Sequence, residues 1–128
     1  YGGLAALEVG LRQDLPVDEI VAQSPSLWWG GEQRGVGEGT LMGALRAGQI
    51  RPHQGVRLRL QVGTLEETMR PVVDDCAELL RCLGVTVELD HYRSGHDVAW
   101  WREGLVRALD EWEPSHMLTR NETAQVNA

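Results

Sequence analysis

Strands that alternate with helices along the chain predict an α/β fold: a parallel sheet with helices on both faces. Three observations carry this reading. Residues 56–62, VRLRLQV, alternate apolar and polar at the period of two that marks a strand with at least one wet side. Residues 67–83 then place Met69, Val72, Val73, Cys76, Leu79, Leu80 and Leu83 on one helical stripe. Residues 85–89, VTVEL, follow at once with the β-branched composition of a second strand.

The remaining elements fit the same alternation. In residues 1–13, Leu4, Leu7 and Leu11 recur at helical spacing with small residues between them. After Pro16, residues 17–23 read as a short strand. The run SPSLWWGG is a loop, and residues 30–40, with five glycines and no apolar period, extend it. A short helix is expected over 40–47, stopped at Gly48. In the 67–83 helix, Pro71 is tolerated because it falls in the first turn. A last helix is expected over 97–112, with Asp97 near its N-cap and Val98, Trp101, Leu105, Leu109 and Trp112 facing inward. Residues 1–113 read as one folded region and 114–128 as a polar tail.

Composition excludes several classes of function. The 128 residues suit one domain, and 42% apolar with 24% charged residues is a globular balance. A net charge of -7 opposes a nucleic-acid footprint, which needs a basic face. All twelve basic residues are arginine, so P-loop and Schiff-base lysines are absent, as are lysine-rich membrane patches. No apolar run approaches the roughly 18 residues of a membrane span. Cys76 and Cys82 lie six positions apart in one helical pattern. A helical rise puts them about 9 Å apart, too far for an unstrained disulfide. They read as reduced core thiols, which suits a cytoplasmic location.

Ligands of parallel sheets sit beyond the carboxyl ends of the strands, here the loops at 24–31, 63–67 and 90–97. His96, in SGHD before a helix start, is a candidate general base; the plainer alternative is a solvated or capping histidine. Glu66, three residues after Gly63, is placed to fix the tautomer of such a base, although a glutamate favoured by the helix dipole fits this stretch as well. Asp90 is the second candidate acid. Ser24, Ser26 and Ser94 have the settings of turn formers, so no hydroxyl in the chain has the surroundings of a nucleophile. The opening Y-G-G matches the second half of a G-x-S-x-G nucleophile elbow. That match predicts a serine immediately before Tyr1, in a longer polypeptide, and the order serine, acid, histidine.

Taken in order, YGGLAALEVGL, QSPSLWW, EGTLMGALRAGQI, LQVGTLEETM and SGHDVAWWREGLVRALDEW resemble the C-terminal part of the enterochelin esterases. These are α/β hydrolases of the esterase D-like group, and the resemblance covers residues 1–113. It implies a serine esterase that cleaves the trilactone of a ferric catecholate siderophore such as ferric enterobactin, and it implies no cofactor. Iron would arrive within the substrate, and no resident metal is expected. By the same resemblance His96 matches the catalytic histidine. Glu66 matches the acid, although some relatives work with a Ser-His dyad. The backbone N–H of Tyr1 would donate to the oxyanion. Trp28 and Trp29 would stack on catechol rings, with simple packing under the loop as the alternative. Arg34 or Arg93 would meet the negative ferric complex.

Two other functions remain open to the sequence. One is a feruloyl- or acetyl-type carboxylesterase of the same fold. The other is a non-catalytic α/β-hydrolase-like interaction domain.

Overall fold

The computed structural model describes residues 1–12, 17–53 and 55–111. The chain divides into two compact units, at Tyr1–Asp97 and from Val98 onward. The first unit holds α1 (Gly2–Arg12), β1 (Glu19–Gln23), α2 (Thr40–Arg46), β2 (Arg57–Gly63), α3 (Arg70–Cys82) and β3 (Thr86–Tyr92). The three strands form a parallel sheet in the order β1-β2-β3. Glu19 pairs with Arg57, and Arg57 with Thr86, so the three carboxyl ends lie at one edge of the sheet.

One core joins the sheet to its helices. Ile20, Ala22, Leu58, Leu60, Val62 and Val87 share a sheet face and meet Leu7 and Leu11 of α1, Leu41, Met42 and Leu45 of α2, and Val73, Cys76, Ala77 and Leu80 of α3. In this unit the three helices therefore cover the same face. Each of the fully buried leucines contributes about 1.5–3 kcal/mol relative to exposure. Gly3 sets how closely α1 approaches the end of β1: a Cβ there would lie 2.2 Å from the carbonyl oxygen of Gln23.

The opposite sheet face corrects an expectation. The alternation of β2 implies one wet side, yet Arg59 and Gln61 are as buried as the leucines. As the central strand, β2 can satisfy its polar side chains across the ladder. Arg59 pairs with Glu88, its register neighbour, and lies 3.9 Å from Asp90. Gln61 accepts from Gln23 Nε2 at 2.7 Å and donates to Asp90 Oδ2 at 3.1 Å and to the Tyr92 hydroxyl at 3.4 Å.

Two boundaries differ most from the sequence reading. The third helix starts at Arg70, not 67, because Pro71 has no N–H to donate to residue 67 and so must lie in the first turn. Strand β3 runs on to Tyr92, since Asp90, His91 and Tyr92 keep pairing with Gln61, Val62 and Gly63. The loop beyond it begins at Arg93.

The thiols differ from each other as well. Cys76 is buried on α3, and burial pushes its thiol up to about 12. Cys82 is exposed, contrary to its reading as a core thiol, because two residues after Leu80 it falls on the side of α3 away from the buried stripe. Alkylation at pH 8 in native buffer is expected to modify Cys82 and spare Cys76, with both reacting in denaturant. Mass spectrometry reads this directly, and rapid native modification of Cys76 would contradict its burial.

In the second unit residues 98–111 are helical (α4), immediately after Asp97. Its buried positions are Trp100, Gly104 and Ala108, spaced four apart. Val98, Leu105 and Leu109 are exposed and Trp101 is half-buried, so the inward stripe expected from the sequence is not the one buried. Apolar residues occur on both faces of this helix, and the buried face is the one that carries the small Gly104 and Ala108. Trp112 and the tail at 114–128 lie outside the described residues. Among the described residues no helix is long and apolar enough to cross a membrane.

Candidate functional site

The three loops at the carboxyl edge of the sheet converge on one carboxylate. Glu66 follows β2 and is 8% exposed. Its backbone starts the turn into α3, since its carbonyl accepts from the N–H groups of Met69 and Arg70 at 3.1 and 2.9 Å. Its side chain turns back over the strand end. Oε2 accepts from the Gly63 N–H at 2.7 Å and from the Ser24 hydroxyl at 2.7 Å. Oε1 lies 2.7 Å from Nδ1 of His96. An ionised carboxylate can only accept, so the neutral imidazole that suits this contact carries its proton on Nδ1 and keeps Nε2 as the acceptor nitrogen.

The sequence explains why His96 reaches that position. Beyond the strand ends the ladder continues through loop backbone: Thr64 N–H donates to Tyr92 O at 2.7 Å, and Leu65 N–H to Ser94 O at 3.1 Å. This path runs directly over Gly63. A Cβ at Gly63 would fall 2.1 Å from Ser94 O, so only glycine lets the third loop cross the end of β2. The His96 side chain is 56% exposed while that of Glu66 is 5% exposed, which gives a solvent-facing imidazole on a buried anchor. Asp90, the other candidate acid, is held within β3 by the Gln61 amide.

A second cluster lies at the N-terminus of α1. Tyr1 accepts from the Ala5 N–H at 3.0 Å, which opens the helix. Its ring meets Trp28 at 6.1 Å and Trp29 at 5.4 Å, both edge-on. The two tryptophans are 5.9 Å apart. Their loop is fixed by backbone: Gly39 N–H donates to Leu27 O, Thr40 N–H to Trp29 O and Gly31 N–H to Trp28 O. The Arg34 guanidinium stands 6.0 Å from the Trp28 ring, within cation–π range. Tyr1, Trp28, Trp29, Gly30, Gly31 and Arg34 line a cavity of about 520 Å³. Trp29 is 54% exposed.

Of the residues singled out in the sequence, Glu66 and His96 are therefore in direct contact, and Trp28, Trp29, Arg34 and Tyr1 share one cavity. Arg93 is exposed in the turn after β3 and does not line that cavity. Two features escaped the sequence reading. One is the Tyr1 ring, considered only for its backbone. The other is Ser24, assigned to a turn. A non-glycine residue at a strand end before proline was the available signal for Ser24.

No family model matches the chain. Among curated proteins it is 32% identical over 118 residues to the iron(III) enterobactin esterase of Escherichia coli K12, a match covering 89% of this chain and 28% of the relative. It is equally identical over 114 residues to the iron(III) salmochelin esterase of a uropathogenic E. coli strain, covering 84% of this chain and 27% of that one. Among solved structures it superposes on the enterobactin esterase of Shigella flexneri crystallised with 2,3-dihydroxy-N-benzoyl-serine. The TM-score there is 0.78 at 31% identity, over 90% of this chain and 30% of the other. The same enzyme with enterobactin gives a TM-score of 0.76 at 32% identity, over 88% of this chain and 28% of the other. The chain thus spans less than a third of the length of the relatives it matches. Over nearly all of its own length it is homologous to the enterobactin esterases, and it carries part of the α/β-hydrolase fold.

Proposed function

We propose that this chain supplies the acid, the base and part of the substrate site of a serine esterase that opens the ester bonds of a ferric catecholate siderophore, releasing iron in the cytoplasm. The observation that carries this reading is the Glu66 carboxylate, buried between Ser24 and Gly63 on one side and joined to His96 on the other. A histidine base requires such an arrangement: one nitrogen held by an acid, on an imidazole that stays exposed.

The steps follow from it. The nucleophilic serine belongs to the residue preceding Tyr1, in a longer polypeptide. His96 Nε2 takes its proton as the hydroxyl attacks the ester carbonyl, and Glu66 stabilises the imidazolium that forms. The oxyanion accepts from the Tyr1 backbone N–H at the positive end of α1. The tetrahedral intermediate collapses, and His96 returns the proton to the departing alkoxide. Water then attacks the acyl-enzyme by the same proton route in reverse. The rings of Tyr1, Trp28 and Trp29 offer edges and faces to catechol groups, while Arg34, with Arg93 at greater reach, answers the negative charge of the ferric complex.

The test uses the protein with its natural upstream sequence. Ferric enterobactin and a feruloyl ester are supplied separately, and release of 2,3-dihydroxy-N-benzoyl-serine or ferulate is followed by chromatography. The expected result is a preference for the siderophore in kcat/KM of roughly 100-fold or more, the scale that specific polar and aromatic contacts provide. Equal turnover of the feruloyl ester moves the function to the polysaccharide esterases. No turnover, together with no labelling by a serine-directed fluorophosphonate, makes the protein non-catalytic.

A further inference from the structure

We infer that Ser24 is the positioning residue that sets the working orientation of the Glu66 carboxylate, an inference that rests on the proposed esterase function. Three observations lead to it. Ser24 is 2% exposed, so its hydroxyl cannot turn to water. Its Oγ donates to Glu66 Oε2 at 2.7 Å, a residue 42 positions away, whereas a turn-forming serine bonds its own neighbours. Its φ is 42°, the left-handed region, and it is the sole non-glycine residue there among the described residues. Serine pays a steric cost in that conformation that glycine would not.

The chemistry of the contact explains what the strained serine does. A free carboxylate can rotate about its last bond and twist its plane away from the histidine. Two donors on Oε2, the Ser24 hydroxyl and the Gly63 N–H, remove that freedom and leave Oε1 for His96 Nδ1. The backbone of Ser24 is itself anchored, with its N–H donating to Gln61 O at 2.8 Å. The first loop thus reaches across the end of β2 and fixes the acid of the second loop, which in turn fixes the histidine of the third. Gly63 N–H alone fixes one direction of approach to Oε2. The Ser24 hydroxyl adds a second direction, from the β1 side, and so defines the plane of the carboxylate.

Two substitutions separate positioning from mere structural support. Ser24→Gly removes the hydroxyl and relieves the backbone, while Ser24→Thr keeps the hydroxyl and worsens the backbone strain, since a β-branched residue resists positive φ. In the intact protein the expected order of melting temperature is Gly above Thr, and the expected order of kcat is Thr above Gly. Ser24→Gly should lower kcat roughly tenfold to a hundredfold with KM unchanged. The direct readout is the His96 tautomer from long-range proton–nitrogen correlations on histidine-labelled protein above its titration. The native protein should hold the proton on Nδ1, and Ser24→Gly should populate both tautomers. Native kcat and a pure Nδ1–H tautomer in Ser24→Gly would overturn the inference, as would activities that simply follow the melting temperatures. The tautomer measurement needs no substrate, so it decides the role of Ser24 even if the esterase function itself fails. Should Ser24→Thr not fold, the tautomer and kcat of the glycine variant are decisive by themselves.

Discussion

Replacing His96 with alanine in the intact protein is expected to lower kcat by roughly 10⁵- to 10⁶-fold, the scale seen when the base of a serine-hydrolase triad is removed. The size of the effect follows from what the imidazole does twice: it takes the serine proton in acylation and the water proton in deacylation. Neighbouring groups are already committed elsewhere, because Asp90 is engaged with Gln61 in the sheet and His91 is paired with Asp74 at 2.6 Å. The binding site should be little altered, so KM should stay near its native value. Stability should fall by about 1–3 kcal/mol, because the buried Glu66 carboxylate loses the imidazole that donates to Oε1. A single-turnover assay on ferric enterobactin with matched circular dichroism checks both expectations. Activity within tenfold of native, in a folded variant, would remove His96 from the mechanism.

Much of the fold was legible in the sequence because its elements carry strong local signals. The alternation in VRLRLQV, the stripe through Val73, Cys76 and Leu80, and the β-branched run at 85–89 each obey one period without conflict. What the sequence concealed depends on long-range partners. Whether Arg59 and Gln61 face water turns on Gln23, Glu88, Asp90 and Tyr92, which arrive from both neighbouring strands. Periodicity reports that a face is polar. It does not report that the polar groups will satisfy one another out of solvent. The last helix fails for a related reason. Val98, Leu105 and Leu109 form as good a stripe as Trp100, Gly104 and Ala108, and only the packing decides which is buried.

The site shows the same division. Topology alone brings 63–67 and 90–97 to one sheet edge, which is why Glu66 and His96 could be paired from their positions. Ser24 was lost because its local setting, before proline and after a strand, is that of a turn, and its bond to Glu66 spans 42 positions. The aromatic cluster was half found. Trp28 and Trp29 are conspicuous side by side, while Tyr1 joins them only because α1 packs tightly against the end of β1 at Gly3.

The second large effect is expected at Glu66, where two substitutions should behave differently. In Glu66→Gln the amide keeps the shape of the carboxylate. Its carbonyl oxygen must occupy the Oε2 position, because that position faces two donors, Gly63 N–H and the Ser24 hydroxyl. The amide NH₂ then points at His96 Nδ1, donor against donor. The imidazole answers by moving its proton to Nε2, the nitrogen that must accept from the nucleophile. A fall in kcat of about 10⁴-fold with little change in KM is therefore expected, together with near-native stability. Glu66→Ala removes the acceptor altogether and leaves the buried Ser24 hydroxyl and Gly63 N–H without this partner, at about 1–3 kcal/mol for each group left unsatisfied. That variant should be both inactive and less stable. Kinetics and thermal melts on the pair distinguish loss of the tautomer from loss of the fold. If Glu66→Gln kept more than a tenth of native kcat, the serine and histidine would be working as a dyad. The buried carboxylate would then serve the architecture of the three loops rather than the proton transfer.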